Sequence, residues 1–493
     1  MDMSNVTISN NLPTEILKYL SPAISPTVLI VVSWKLWNIY YNVSKDPTLS
    51  LPLPPGSLGI PLLGETISFI ISGANFFRSR KKFYGDIFKT HILGNPTIRV
   101  SGPQNVRTIL MGENSLVTTY WPTSVRMLMG DGAVSHAVGA THKLRRKALL
   151  KAFSHNALSS YVPVIQQVVQ QFIRKWCHEG YVFGYPECKR MTFKVACQIL
   201  VGFDMVQSEH QKLLTVFRVF LDNLFSLPLN IPGTGLSKGM KARKVLLAKI
   251  EECIKDKYKK SGADFKDAMM LMMDMSDDEK LNLEELKDVG LELLFAGHAT
   301  CASAAASLLS QLAKNKSVVD KIAGELLEYG LDEDTKKITL DDINKLTYVS
   351  NVVKETLRIS PPVGAGFRKV IKSFELDGYQ IPKGWTLAYS IRETQEAAEV
   401  FNHGEKFAPE RWNSIKDEKF SYLPFGGGGR ACVGKELAKL VLKIFAIELS
   451  RSCKWRLLNE SAKINYLPVP HASDGLPIEF SQIITNRPRA FTF

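Results

Sequence analysis

A glycine-rich loop that ends in a single cysteine constrains this chain more than any other stretch. It runs from Phe425 to Gly434 (FGGGGRACVG) and leads into a predicted helix from about Lys435. Consecutive glycines allow positive φ angles and let the backbone lie flat against a broad planar group. Backbone N–H groups at a helix start can point at the Cys432 sulfur and favour its thiolate. With Arg430 as a nearby cation, the loop suits a thiolate bound to haem iron and an arginine bound to a propionate.

Two other interpretations of the same residues were weighed. Gly429–Lys435 has the spacing of a phosphate-binding loop, but Glu436 occupies the position where Ser or Thr must hold magnesium, and a carboxylate would repel phosphates. The second alternative is a flexible glycine turn beside an ordinary buried cysteine, since short motifs often occur by chance.

The loop resembles the haem-ligand signature of the cytochrome P-450 monooxygenases. The matching positions are Phe425, Gly428, Arg430, Cys432 and Gly434. The resemblance implies a mainly α fold with a small β region, in which Cys432 binds the iron. It also implies that Phe425 and Gly434 adjoin the haem and that Arg430 binds a propionate.

The same resemblance assigns three further residues to the haem. Phe367-Arg368 follows Pro361-Pro362 at the spacing of a propionate-binding arginine, and Arg146 occupies the other such position. His142 stands where the family commonly has tryptophan. We expect His142 to be a polar neighbour of the propionate and not an iron ligand.

A long helix is predicted from Asn282 to about Ala313, with Asn282 and Glu285 spaced as a capping pair. Its middle has small side chains, which allow either close helix packing or the approach of a flat group, and Thr300 could interrupt the helix hydrogen bonds there. The resemblance makes it the oxygen-binding helix, in which Thr300 helps to deliver protons. Ala299 replaces the usual acid and Cys301 the frequent second hydroxyl, which puts proton delivery in doubt.

A charged triad is predicted beside the loop. Glu355 and Arg358 lie three residues apart on a predicted helix from Lys345 to Ile359, a spacing that lets them pair. This pattern is common on surfaces, but it matches the glutamate–arginine pair of the family, for which Arg411 is the expected third member. The predicted role of the triad is structural.

Strings outside the haem motifs resemble the retinoic acid hydroxylases within this family. They are LPLPPG (51–56), KTHILGNPT (89–97), WPTSVR (121–126), NLFSLP (223–228), GFR (366–368) and GYQIPKGW (378–385). Such a substrate is a flat polyene with one carboxylate. The family pocket positions predict that four aromatic residues line its slot and that Arg99 holds the carboxylate, although core packing and an exposed strand cation are the plain alternatives. These aromatic residues are Trp121, Phe225, Phe295 and Phe367.

The first 50 residues are predicted to form a membrane anchor and linker, followed by one catalytic domain over 51–493. The apolar run from Tyr19 to Trp34 is short for a full span, and Pro22 and Pro26 weaken it further. Lys35 and Lys45 follow the run, whereas only Lys18 precedes it. This bias predicts that the catalytic domain faces the cytosol. The family resemblance implies that the membrane is that of the endoplasmic reticulum.

Composition is that of a globular chain with a large core: 493 residues, 45% hydrophobic and 22% charged. Seven scattered cysteines favour a reducing compartment. The net charge of +14 accompanies no nucleic-acid motif. Lys435, Lys439 and Lys443 share one helix face, which is either a solvated surface or, as the family implies, the docking surface for an NADPH-cytochrome reductase.

Helical periodicity predicts further helices, and two short runs predict strands. The helices are Gln104–Leu110, Thr141–Phe153, Ser160–Cys177, Leu213–Phe225, Lys241–Lys257 and Asp264–Asp274, and the strands are Ile87–His91 and Thr97–Val100.

The sequence therefore predicts a haem-dependent monooxygenase that hydroxylates all-trans retinoic acid. Three alternatives remain open. They are a monooxygenase of another terpenoid, sterol or fatty acid; an oxygen-independent isomerase or dehydratase, which Ala299 favours; and a non-catalytic retinoid binder.

Overall fold

The structure, a computed structural model, describes residues 12–43, 45–203, 205–259, 265–275, 280–415, 420–466 and 468–483. Contacts between residues group the chain into two compact units. The first unit extends to Arg99 and includes Lys372–Leu387, and the second comprises Val100–Ile371 and the chain from Ala388 onward. The predicted boundary at residue 50 stays a prediction.

The first unit contains three helices and two pairs of strands. They are α1 (Leu12–Val43), α2 (Thr66–Ser72), α3 (Ala74–Tyr84), β1 (Ile87–Ile92), β2 (Asn95–Val100, whose last residue begins the second unit), β6 (Phe374–Leu376) and β7 (Tyr379–Ile381). Strands β6 and β7 pair antiparallel through the two-residue turn Asp377-Gly378, where both residues have positive φ. Turns of this kind match the twist of paired strands.

Helix α1 exposes large apolar side chains along its middle. Val28 to Val32 are all exposed, and Leu29 and Ile30 are each 63% accessible. Towards its end, Trp37 packs edge-on against His91 with 5.1 Å between ring centroids, and Tyr41 packs against Trp385 at 5.9 Å. The end of α1 is thus fixed within the first unit by aromatic contacts. The helix continues through Pro22 and Pro26 without interruption.

The second unit is mainly helical. Its helices are α4 (Pro103–Met111), α5 (Thr123–Met129), α6 (Gly139–Ala152), α7 (His155–Glu179), α8 (Gly184–Ala196), α9 (Gln207–Asp222), α10 (Gly235–Lys259), α11 (Ala268–Met273), α12 (Leu283–Lys314), α13 (Lys316–Glu328), α14 (Leu340–Lys345), α15 (Thr347–Ile359), α16 (Arg392–Ala397) and α17 (Lys435–Ser452). Its strands are β3 (Val117–Thr119), β4 (Tyr181–Phe183), β5 (Ala365–Val370), β9 (Cys453–Leu457), β10 (Ile464–Asn465), β11 (His471–Ala472) and β12 (Pro477–Gln482), and β8 (Thr386–Ser390) crosses the division between the units.

Small antiparallel sheets lie among these helices. Strand β12 pairs with both β4 and β9, and β3 pairs with β5 so that Thr119 is opposite Arg368. The predicted fold class, mainly α with a small β region, is confirmed.

Helix α12 is the central element of the second unit. Its start carries the predicted capping box, in which Asn282 accepts from the Glu285 N–H at 2.9 Å and Glu285 accepts from the Asn282 N–H at 3.1 Å. Within the described chain, α12 alone is long and apolar enough to cross a membrane. More than half of its most apolar stretch is buried, as in the core helix of a globular unit.

Candidate active site

The glycine-rich loop folds back tightly on itself before α17. Gly426 and Gly428 have φ angles of 66° and 64°, a region that favours glycine. A Cβ at Gly428 would collide with the Leu110 carbonyl at the end of α4. The Cys432 N–H donates to the Phe425 carbonyl at 2.9 Å and closes the loop. Two of the four glycines are therefore required by backbone geometry, and Gly428 also by close packing.

Cys432 lies just before α17, as predicted. The backbone N–H of Gly434 and the cations Arg146 and Lys435 are close enough to favour the thiolate. Burial is the stronger effect and raises the pKa of the Cys432 thiol above its ordinary value, even though the side chain remains accessible. A cationic metal at the sulfur would reverse this balance, because a coordinating thiol loses its proton.

Three arginines gather near this loop around one carboxylate. Glu113 Oε1 accepts from Arg430 Nε at 3.0 Å, and Glu113 Oε2 lies 3.1 Å from Arg368 Nε. The side chains of Glu113, Arg368 and Arg430 are each less than a tenth exposed. Arg146 is close enough to lower the pKa of Arg430, after the larger effect of burial.

Part of this cluster has no partner among the residues that the structure describes. Both terminal nitrogens of Arg430 are buried and have no hydrogen-bond partner among the described residues. Arg146 makes no ion pair within the described chain. Buried guanidinium groups normally have partners. The cluster therefore suits an anionic ligand with carboxylate or phosphate groups.

His142 is buried beside these arginines. Burial, followed by the charges of Arg430 and Arg146, lowers its pKa to about 4. The imidazole is therefore neutral at neutral pH and does not add to the positive charge of the cluster.

The middle of α12 presents small side chains on an accessible side. Ala296 is exposed although Leu294 and His298 on either side of it are buried. The Thr300 hydroxyl donates to the Ala296 carbonyl at 2.6 Å, a side chain-to-backbone bond within one turn. Burial raises the pKa of the next residue, the Cys301 thiol, and the nearby Cys432 raises it further.

A family model described as Cytochrome P450 matches residues 54–473. The chain belongs to the cytochrome P450 family. Cytochrome P450 26A1 of Gallus gallus is 43% identical over 469 residues, which cover 92% of this chain and 95% of that protein. Cytochrome P450 26B1 of Homo sapiens is 42% identical over 478 residues, covering 94% and 93%. The solved structure of retinoic acid-bound cyanobacterial CYP120A1 is 34% identical, with a TM-score of 0.82, and covers 88% of this chain and all of that one.

The comparisons confirm the predicted family, fold and cofactor, and the protein is a haem-thiolate oxidoreductase. The described residues fit haem. Cys432 offers a sulfur ligand at the end of the glycine-rich loop, and the buried terminal nitrogens of Arg430 offer donors to a propionate. Arg146, Arg368, Phe425 and Gly434 belong to the same part of the P450 fold, and their contacts with haem stay predictions.

The predicted triad of this P450 is assembled around Glu355, which is fully buried. Arg358 donates to both carboxylate oxygens at 2.9 Å, and Arg411 Nε donates to Oε1 at 2.9 Å. Two donors that were not predicted complete the set: Trp412 Nε1 at 3.0 Å and the Ala408 N–H at 3.0 Å. The carboxylate therefore joins α15 to the segment that precedes the cysteine loop.

The predicted substrate contacts differ in their surroundings. Trp121 and Phe295 are half-buried and pack against the main core, and Trp121 Nε1 donates to the Ser135 carbonyl at 3.2 Å. Phe367 is half-buried in β5, whereas Phe225 is 57% exposed beyond the end of α9. Arg99 belongs to the first unit, where its guanidinium lies over the Phe77 ring at 4.2 Å. Arg99 is buried and not an exposed strand cation. The roles of these residues stay predictions.

Sequence reasoning missed two carboxylates in this P450. Glu113 holds Arg368 and Arg430, and Glu292 of α12 accepts from the N–H groups of Val134 and Ser135 at 2.6 and 2.8 Å. Glu292 could have been noticed as an acid within an apolar helix. Glu113 occurs between Gly112 and Asn114 in an ordinary turn pattern, which gives no signal.

Proposed function

We propose that this cytochrome P450 hydroxylates all-trans retinoic acid. The observation that supports the substrate most directly is the similarity to a solved P450 structure with retinoic acid bound. The subfamily strings outside the haem motifs favour the same substrate class. Haem, when bound, supplies the redox and dioxygen chemistry of the reaction.

The residues of this chain supply binding, orientation and a proton path. Cys432 would bind the haem iron as a thiolate, while Arg146, Arg368 and Arg430 would neutralise the propionates. The Thr300 hydroxyl donates a hydrogen bond to the Ala296 carbonyl, so the lone pairs of the hydroxyl oxygen remain available to accept from a water. Because Ala299 offers no acid, proton transfer depends on this hydroxyl and on water.

The substrate slot is proposed to combine aromatic walls with one cation. The aromatic walls are Trp121, Phe225, Phe295 and Phe367, which would bury a polyene by stacking. Arg99 would pair with its carboxylate, a charge-assisted contact that distinguishes an acid from an alcohol.

Substrate titrations with the ferric holoenzyme test this proposal. All-trans retinoic acid should shift the haem spectrum at lower concentration than a sterol or a saturated fatty acid. Arg99→Leu should weaken retinoic acid binding about tenfold, the effect of one lost charge-assisted contact, and leave retinol binding unchanged. A fatty acid or sterol that binds more tightly than retinoic acid would contradict the proposed substrate. Equal losses for retinoic acid and retinol would contradict the role of Arg99 alone.

Electrons are proposed to come from an NADPH-cytochrome reductase that docks at the start of α17. Lys435 is about half exposed and Lys439 about a third, although Glu436 pairs with both. Lys443 is more enclosed, and burial lowers its pKa. A cationic surface next to the cysteine loop suits an acidic donor protein.

The protein is further proposed to be held in the endoplasmic reticulum membrane by α1, with its catalytic part in the cytosol. Apolar side chains are exposed along residues 28–40 of α1, and Lys35 and Lys45 follow the apolar run. At 1.5 Å per residue, this helix of 32 residues is about 48 Å long, although the apolar run within it is shorter than a full span requires.

A second candidate function is an oxygen-independent isomerase or dehydratase, which the methyl group of Ala299 favours. Conversion of substrate by the holoenzyme without reductase or NADPH would reveal it. The monooxygenase requires both.

A further inference from the structure

The charge of the arginine cluster is set by a residue with no predicted role. Arg146, Arg368 and Arg430 are three cations, and Glu113 is a single carboxylate among them. The neutral His142 adds nothing. The cluster therefore has two net positive charges, which equal and oppose the two propionates of haem.

Glu113 also joins three separate elements of the second unit. It lies in the turn between α4 and β3, whereas Arg368 belongs to β5 and Arg430 to the cysteine loop, 317 residues away in the chain. The end of α4, just before this turn, is packed against the loop, because Gly428 closely approaches the Leu110 carbonyl. One buried carboxylate thus links the cysteine loop to the strand that carries the second arginine.

The contacts of Arg430 show what Glu113 does for the guanidinium. Glu113 accepts from Nε only, so both terminal nitrogens stay available and buried. Long arginine side chains lose rotamer freedom when they are ordered. Because Glu113 binds Nε, it orders the Arg430 side chain before another anion binds. Both terminal nitrogens then remain available to donate to that anion.

We propose that Glu113 is a positioning residue for the haem propionates. It orients Arg368 and Arg430 and limits the net charge of the propionate site to two positive charges. The proposal concerns the haem and is independent of the identity of the substrate.

The test is haem retention and redox behaviour of Glu113→Gln in the full-length holoenzyme. Loss of orientation should speed haem transfer to excess apomyoglobin about tenfold, the effect of one charge-assisted hydrogen bond. Loss of a negative charge should move the ferric–ferrous potential in the positive direction, because the reduced haem has one positive charge fewer.

Matched variants separate positioning from a loss of stability. Glu187→Gln removes another buried carboxylate, which is bonded to Trp176, Lys175 and Arg190 on α7 and α8. It should leave both haem measurements unchanged. Glu113→Asp keeps the charge but shortens the side chain, so it should speed haem loss and preserve the potential.

Four results would overturn the proposal. Slower haem loss in Glu113→Gln would mean that the carboxylate competes with the propionates, and an unchanged rate would mean that it does not position their arginines. A change equal to that of Glu187→Gln would indicate only structural weakening. If Glu113→Gln yields no folded protein, Glu113→Asp becomes the test of the proposal. Haem loss from Glu113→Asp at the wild-type rate would then overturn it.

Discussion

At position 299, α12 has a methyl group beside the Thr300 hydroxyl. The hydroxyl donates to the Ala296 carbonyl at 2.6 Å. His298 cannot replace the missing acid. It is buried on the opposite side, where its Nδ1 lies 3.2 Å from the Thr192 hydroxyl. A proton path in this helix therefore depends on Thr300.

Thr300→Ala should separate NADPH consumption from product formation. Since positioned proton transfer contributes at least a hundredfold in typical enzymes, we expect product per NADPH to fall about tenfold or more, with peroxide formed instead. Product and peroxide assays in the reconstituted system measure this.

Ser307→Ala is the matched control for Thr300→Ala. Its hydroxyl lies farther along α12 and donates to Ser360 at 3.1 Å. This variant should keep the wild-type ratio of product to NADPH. Unchanged coupling in Thr300→Ala would show that the proton travels by another path.

At the scale of elements, α15 is joined to the segment before the cysteine loop by Glu355. The carboxylate accepts from Arg358, Arg411, Trp412 and the Ala408 N–H. Removal of the Glu355 carboxylate would leave the guanidinium groups of Arg358 and Arg411 without this partner.

Glu355→Ala should lower the free energy of unfolding by about 3–5 kcal/mol, the usual cost of a broken buried pair. Denaturant titration of the holoenzyme measures the change. Glu479→Ala breaks the exposed pair with Arg456 and should cost less than about 1 kcal/mol. Equal losses in the two variants would contradict a stabilising triad.

The interface between α8 and α12 depends on a neutral His298. Burial lowers its pKa to about 3 in the folded state, against about 6.5 when unfolded. Below pH 6.5 the unfolded chain binds the extra proton, so stability falls as the pH decreases toward 3. At pH 5 this linkage amounts to about 2 kcal/mol.

His298→Gln should reduce that loss of stability with acid, measured as the change in unfolding free energy between pH 7 and pH 5. His403→Gln, at the exposed surface, controls for the removal of one histidine. The account of this interface fails if His298→Gln keeps the wild-type dependence on pH.

At the scale of the whole molecule, we expect α1 to determine where the protein is found. A chain that begins at Ser33 would lose Val28 to Val32 but keep Trp37 and Tyr41, which pack on His91 and Trp385. It should move from the membrane pellet to the supernatant after centrifugation and still bind haem. Replacement of Val28, Ile30 and Val32 by alanine in the full chain is the milder comparison. Unchanged sedimentation of the truncated chain would contradict an anchor.

The sequence predicted the parts of this molecule that depend on local chemistry. The cysteine loop, the capping box of α12 and the pair in α15 follow from glycine, capping and helical spacing within a few residues. Helix α8 was missed, since Gly184 and Pro186 in its first turn resemble a loop. The helix predicted at Leu213–Phe225 begins six residues later than α9 does, because polar side chains at the start of α9 obscure the helical periodicity.

Contacts between distant segments could not be predicted in this way. No local sequence pattern relates Glu113 to Arg430, because their pairing depends on how α4 packs against the cysteine loop. Phe225 is more exposed than its predicted role in lining the slot suggests, because it follows the end of α9. Pro22 and Pro26 were expected to weaken the apolar run as a membrane span, yet helix α1 includes both residues.

The measurement that tests the central claim most directly is the product formed per NADPH consumed, with reductase and all-trans retinoic acid, analysed by mass spectrometry. The account predicts a mono-oxygenated acid as the main product, in an amount that approaches the NADPH consumed. Consumption of NADPH that yields peroxide and unaltered retinoic acid would contradict it.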